Sequence, residues 1–70
     1  MSDPAERARA FALAVRETQE VRALAEKNAD RRNRAIARAL ELEVALTPLA
    51  AACGVTRQTI YRWAEAGRHA

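Results

Sequence analysis

Residues 54–63 read GVTRQTIYRW, and side chains suited to recognising another molecule are concentrated there. Arg57 offers a planar fork of donors, and Gln58 sets a donor beside an acceptor, so each can engage a polar edge through two parallel hydrogen bonds. Thr56, Thr59 and Tyr61 add hydroxyls, and Arg62 adds a second guanidinium. Covalent chemistry has far less to draw on. The chain has one cysteine, Cys53, and one histidine, His69. A thiol nucleophile wants a base beside it, and one Cys, one His and scattered carboxylates do not make a metal site. Cys53 therefore reads as a small buried apolar residue and His69 as an incidental one. No catalysis, cofactor, metal or small-molecule ligand is expected.

The elements that position this stretch are short. In "LTP", Thr47 is suited to N-cap a helix and Pro48 to its first position. "PLAAAC" then makes a short helix, and Gly54 suits the left-handed turn after it. Thr56 caps a last helix, "RQTIYRWAEA", which Gly67 is expected to end. Leu49, Cys53, Val55, Ile60 and Trp63 have the spacing to pin both helices to a third, whose wall is Ile36 and Leu40. Ala50 is small enough for a close crossing. Arg57, Gln58, Tyr61 and Arg62 then project away from the core.

Upstream, "SDPAE" offers Ser2 or Asp3 as N-cap and Pro4 at the first helical position. Phe11, Ala14, Val15, Thr18, Val21, Leu24, Ala25 and Asn28 recur every three or four residues, a narrow apolar stripe on a charged helix running to about Lys27. The C-terminal half is too small to cover it all. The expectation is a second copy of the chain, paired helix on helix through Phe11, Val15, Thr18, Val21, Leu24 and Ala25. Residues 1–30 thus read as a dimerisation helix and 31–70 as a recognition unit. At "KNADRRNR" the helix either breaks or runs on to about Leu42.

Seventy residues bound the chain to one small domain, with a core that is marginal without staples. The lone cysteine supplies none, no run of about 18 apolar residues crosses a membrane, and the N-terminus does not read as a secretory signal. Abundant alanine, with only two glycines and two prolines, gives an all-α fold. All but one of the 12 basic side chains are arginine, and the net charge is +3 with a pI near 10.0. Such a balance favours an acidic partner. The signs nearly cancel through Asp30. Arg31, Arg32, Arg34 and Arg38 then cluster, and Arg57, Arg62 and Arg68 follow.

A short helix, a glycine turn and a second helix make the helix-turn-helix pattern. "LAAACGVTRQTIYRWAEAG" resembles the helix-turn-helix of small actinobacterial and phage regulators and of resolvase and invertase recombinases. "NRAIARALELEVALTPLAAACGV" carries the likeness back, so that it covers roughly residues 31 to 67. That family often has glycine where this chain has Glu43. The resemblance implies double-stranded DNA as partner, with the second helix in the major groove and a cytoplasmic, nucleoid-associated protein. Arg57 and Gln58 would read bases, Arg suiting guanine and Gln adenine. Thr47 and Thr56 would meet phosphates, and Thr59, Tyr61 and Arg62 would follow one turn on. Arg31, Arg32, Arg34 and Arg38 would contact phosphates or form a charged exterior. A dimeric transcriptional regulator is the leading expectation. The alternatives are an architectural or recombination-directing factor of a mobile element and a helical adaptor that binds protein alone.

Overall fold

The computed structural model describes residues 3–24 and 29–69, with side-chain surroundings for all of these except 22–24. The described residues form four helices: α1 (Pro4–Leu24), α2 (Ala29–Glu41), α3 (Leu46–Cys53) and α4 (Arg57–Arg68). No helix among these residues is long and apolar enough to cross a membrane.

Asp3 opens α1. Its carbonyl accepts from Arg7 N–H at 2.9 Å, and its carboxylate accepts from Ala5 N–H at 3.2 Å. Pro4 at the first position loses nothing, because that amide has no intrahelical partner in any case. The expected stretch from Ala25 to Asn28 lies outside the described residues. The two described helices nonetheless run antiparallel. Arg38 on α2 reaches Glu6 near the start of α1 at 3.0 Å, and Arg31 reaches Glu17 near its end at 3.1 Å. One unbroken helix would hold positions 6 and 38 about 48 Å apart, so the reading of a single helix to Leu42 is corrected.

The fold-back gives the α1 stripe a partner inside the chain. Ala14, Thr18 and Val21 are buried, and Phe11 and Val15 pack half-buried against the core. The Thr18 hydroxyl donates to the Ala14 carbonyl at 2.8 Å, which lets a polar residue sit there. Thr18 and Val21 are thereby covered within the chain, whereas Phe11 and Val15 keep part of their surface exposed. The Leu24 side chain and Ala25 lie outside the described residues.

Ala10 and Ala14 of α1 share one core with Ala35, Ile36 and Ala39 of α2, Leu49, Ala50 and Cys53 of α3, and Ile60 and Ala64 of α4. Ile36, Leu49 and Ile60 are its fully buried centre. Leu40, Val55 and Trp63 pack on its edge. The third wall expected from Ile36 and Leu40 is therefore in place. α2 lies between α1 and α4.

Two helix ends use the same motif. After α2, Glu43 N–H bonds Leu40 O at 3.0 Å and Val44 N–H bonds Ala39 O at 3.0 Å. After α3, Gly54 N–H bonds Ala51 O at 3.1 Å and Val55 N–H bonds Ala50 O at 3.0 Å. Both are Schellman pairs closing on a left-handed residue. Gly54, at φ 71°, adopts that conformation freely, whereas Glu43, at φ 62°, does so with a Cβ. The end of α2 is set here rather than by "LTP". The α3 N-cap is Ala45, with no side-chain cap, so Thr47 and Pro48 fall two residues further into the helix than expected. Pro48 remains cheap, since the first four amides of a helix lack intrahelical partners.

Gly67 also differs from expectation. α4 runs on through Arg68, so Gly67 does not terminate it. A Cβ there would lie 2.2 Å from the Asn33 carbonyl oxygen of α2. Gly67 is needed because the α2 backbone passes too close for any side chain.

Candidate nucleic-acid interface

α4 presents its outer face from a fixed start. The Gly54 turn sets the exit from α3. Thr56 then takes extended backbone angles, and its Oγ1 accepts from Thr59 N–H at 3.2 Å. The two threonine hydroxyls also lie 3.0 Å apart. Ile60 and Ala64 anchor the inner face with no exposure. This locks the rotation of the helix, so Arg57, Gln58, Tyr61 and Arg62 stand on the outer face and are exposed. None of these four has a hydrogen-bond or ion-pair partner among the described residues. Tyr61 is 59% exposed, unusual for a large aromatic side chain in a chain with so few.

Leu46, Thr56, Arg57, Gln58 and Tyr61 line one open depression where the start of α3 meets the start of α4. Thr47 is exposed in the first turn of α3, next to Leu46. The structure thus brings together Thr56, Arg57, Gln58 and Tyr61 with Leu46, next to which Thr47 lies in sequence, while Arg62 is exposed further along α4. Thr59 is half-buried with its hydroxyl facing that of Thr56, so it serves the start of the helix more than the outer surface.

The α2 arginines divide. Arg32 is buried, its guanidinium 3.8 Å over the Trp63 ring and bonded to Asn33 Oδ1 at 3.0 and 3.1 Å. Its assignment as a phosphate contact is corrected. It joins α2 to α4, and Trp63 is a core-edge residue that receives it. Arg31, Arg34 and Arg38 are exposed but belong to the α1 side of α2. Arg31 pairs with the buried Glu17 at 3.1 Å, and Arg38 pairs with Glu6 at 3.0 Å and Glu41 at 3.9 Å. Arg34 and Arg16 have no partner among the described residues. Arg16 and Glu17 escaped the sequence reading because only the antiparallel register of α1 on α2 places them there.

At the far end of α4, Glu65 accepts from Arg68 and lies 3.1 Å from His69. The His69 hydrogen bond, then that from Arg68, holds the Glu65 carboxyl below its ordinary range. Cys53 is a buried free thiol, and no metal-holding cluster of His, Cys, Asp or Glu occurs among the described residues. Compared with known proteins, the chain matches no family profile, no curated protein and no solved structure.

Proposed function

We propose that this chain binds double-stranded DNA in a sequence-specific manner, that α3, the Gly54 turn and α4 act as a helix-turn-helix, and that it serves as a transcriptional regulator. The observation that carries this reading is the outer face of α4. Arg57, Gln58, Tyr61 and Arg62 lack partners within the described chain, yet they ride on a helix whose rotation is fixed by a capped start and a buried inner face. A recognition helix needs both properties, since its N-terminal residues must meet base edges without first reorganising.

In this reading Arg57 donates to the O6 and N7 acceptors of guanine, and Gln58 pairs with the N6 and N7 edge of adenine. Tyr61 and Arg62 engage the next base step or the backbone. Thr47 and Thr56 contact phosphates beside the groove. Two bidentate pairs supply about 1–3 kcal/mol of discrimination each, whereas specific binding exceeds non-specific by about 4–10 kcal/mol. Two copies on two half-sites would close that gap.

The test is Arg57→Ala combined with Gln58→Ala, measured by gel shift on a duplex obtained by random-sequence selection with the unaltered protein. Specific binding should fall at least a hundredfold while far-ultraviolet circular dichroism is unchanged. A double variant that shifts the selected duplex normally would remove α4 from recognition. A chain that selects no sequence and shows no salt-dependent DNA binding would instead support a protein-only adaptor.

A further inference from the structure

A second basic surface lies on the other side of α2. Arg16 of α1 and Arg31, Arg34 and Arg38 of α2 surround one open groove of about 360 Å³ between the two helices, with Leu13, Ala35 and Glu17 completing it. At about 100° per residue, positions 31, 34 and 38 centre on the side of α2 opposite positions 32, 33 and 36. The contacts agree: Arg31 and Arg38 pair with α1, whereas Arg32 stacks on Trp63 of α4 and Asn33 abuts Gly67 of α4. The groove shares no residue with the depression at the start of α4. The whole folded unit measures only 33 × 23 × 20 Å.

We propose that this groove binds the phosphodiester backbone of a second DNA segment, so that one molecule can hold two duplexes. The four guanidiniums against Glu17 leave the groove lining at +3, with Glu6 and Glu41 beside Arg38 at its rim. Two of the four have no partner in the described chain, and Arg31 and Arg38 remain 60% and 58% exposed beside theirs. Glu17 is 4% exposed at its side chain and takes Arg31 through one oxygen. That contact holds the guanidinium in place at the groove while leaving its other donors outward. Leu13, 37% exposed, gives the groove an apolar floor on which a deoxyribose can rest. A phosphodiester chain is favoured over an acidic peptide because the opposite face, on the reading above, already brings the molecule to DNA. The inference rests on that reading for the identity of its polyanion.

The experiment uses five full-length proteins: the unaltered chain, Arg57→Ala/Gln58→Ala, Arg16→Ala/Arg34→Ala, Arg16→Lys/Arg34→Lys, and the four alanine substitutions together. Each is loaded on a bead-bound selected duplex, and capture of a second, fluorescent duplex of unrelated sequence is measured against salt. A parallel titration follows direct binding of the unrelated duplex in solution. The unaltered chain should capture the second duplex. Arg16→Ala/Arg34→Ala should bind the first duplex as before and lose at least tenfold of the second. Arg57→Ala/Gln58→Ala should still bind the unrelated duplex in solution, with a salt slope about 2 steeper than that of the quadruple variant, at roughly 0.9 per phosphate. Arg16→Lys/Arg34→Lys should retain capture. Three results would overturn the proposal: no second duplex captured by the unaltered chain, capture indifferent to Arg16 and Arg34, or a slope unchanged between the two α4 variants. Failure of the α4 reading shows separately, as normal binding of the selected duplex by Arg57→Ala/Gln58→Ala.

Discussion

Glu43→Gly should make this protein more stable, although it removes a side chain. Glu43 sits at φ 62° in the Schellman turn that ends α2, the position that Gly54 fills at φ 71° after α3. An L-residue in the left-handed region costs about 1–2 kcal/mol. Glycine gives back about 0.4–1 kcal/mol through the extra freedom of the unfolded chain. The Glu43 side chain is exposed and makes no ion pair among the described residues, so its loss breaks no charged contact there. The difference spans about 0–1.6 kcal/mol, with a central gain of about 0.5–1 kcal/mol. Urea unfolding followed by circular dichroism should move to a higher midpoint at unchanged slope. The melting temperature should rise by about 2–8 °C, since 1 kcal/mol corresponds to roughly 4–8 °C in a domain this small. Glu43→Ala is the control: it removes the same charge but keeps a Cβ in the left-handed region, and should give no comparable gain. If alanine matched glycine, charge rather than backbone conformation would be responsible. A loss of stability in the glycine variant would refute the reasoning outright.

Gly67→Ala should lower stability by at least about 2 kcal/mol, as overpacking against rigid backbone does, and a thermal melt would detect it. Thr56→Ala should cost about 1 kcal/mol through the lost cap and weaken DNA binding in gel shifts beyond that loss, because the start of α4 frays. Deleting residues 3–24 should abolish the cooperative thermal transition, because α1 supplies Ala10 and Ala14 to the shared core; a truncated chain that still melts cooperatively would place α1 outside it. The free protein should sediment as a monomer at micromolar concentration, and a concentration-independent dimer would overturn this expectation.

The all-helical class was legible because alanine and the scarcity of glycine, proline and β-branched residues leave no other local structure available. The Asp3, Gly54 and Thr56 signals also read correctly, since each is a local bond between neighbours. Errors arose where tertiary contacts decide. Gly67 looks like a terminator by composition and is instead a close-approach residue, a role visible only once Asn33 is beside it. Arg32 carries the same charge as Arg31 and Arg34, but its position on the helix turns it onto Trp63. Even so, Ala64 and Gly67 as small residues three apart on one side of α4 were a usable sign of tight packing. On the outer face of α4 the helical period was enough to separate Arg57, Gln58, Tyr61 and Arg62 from Ile60.

The fold-back of α1 changes how two copies can cooperate. With Ala14, Thr18 and Val21 buried inside the chain, Leu13 and Tyr61 are the most exposed large hydrophobic side chains of the described surface, and Phe11 and Val15 are half-buried. Obligate dimers bury interfaces of about 2,000 Å² or more that resemble a core cut in half, and Leu13 and Tyr61 alone would not supply one. Both, moreover, lie at the faces argued to meet DNA. Two copies acting on two half-sites can then meet on the duplex, held by the effective concentration that adjacent sites create, with no need of a preformed pairing helix. Half-site spacing is then limited by contact between domains at most 33 Å long. Spacing near one helical turn, about 34 Å, places such domains side by side on one face of the duplex and leaves the groove of Arg16 and Arg34 free for a second segment.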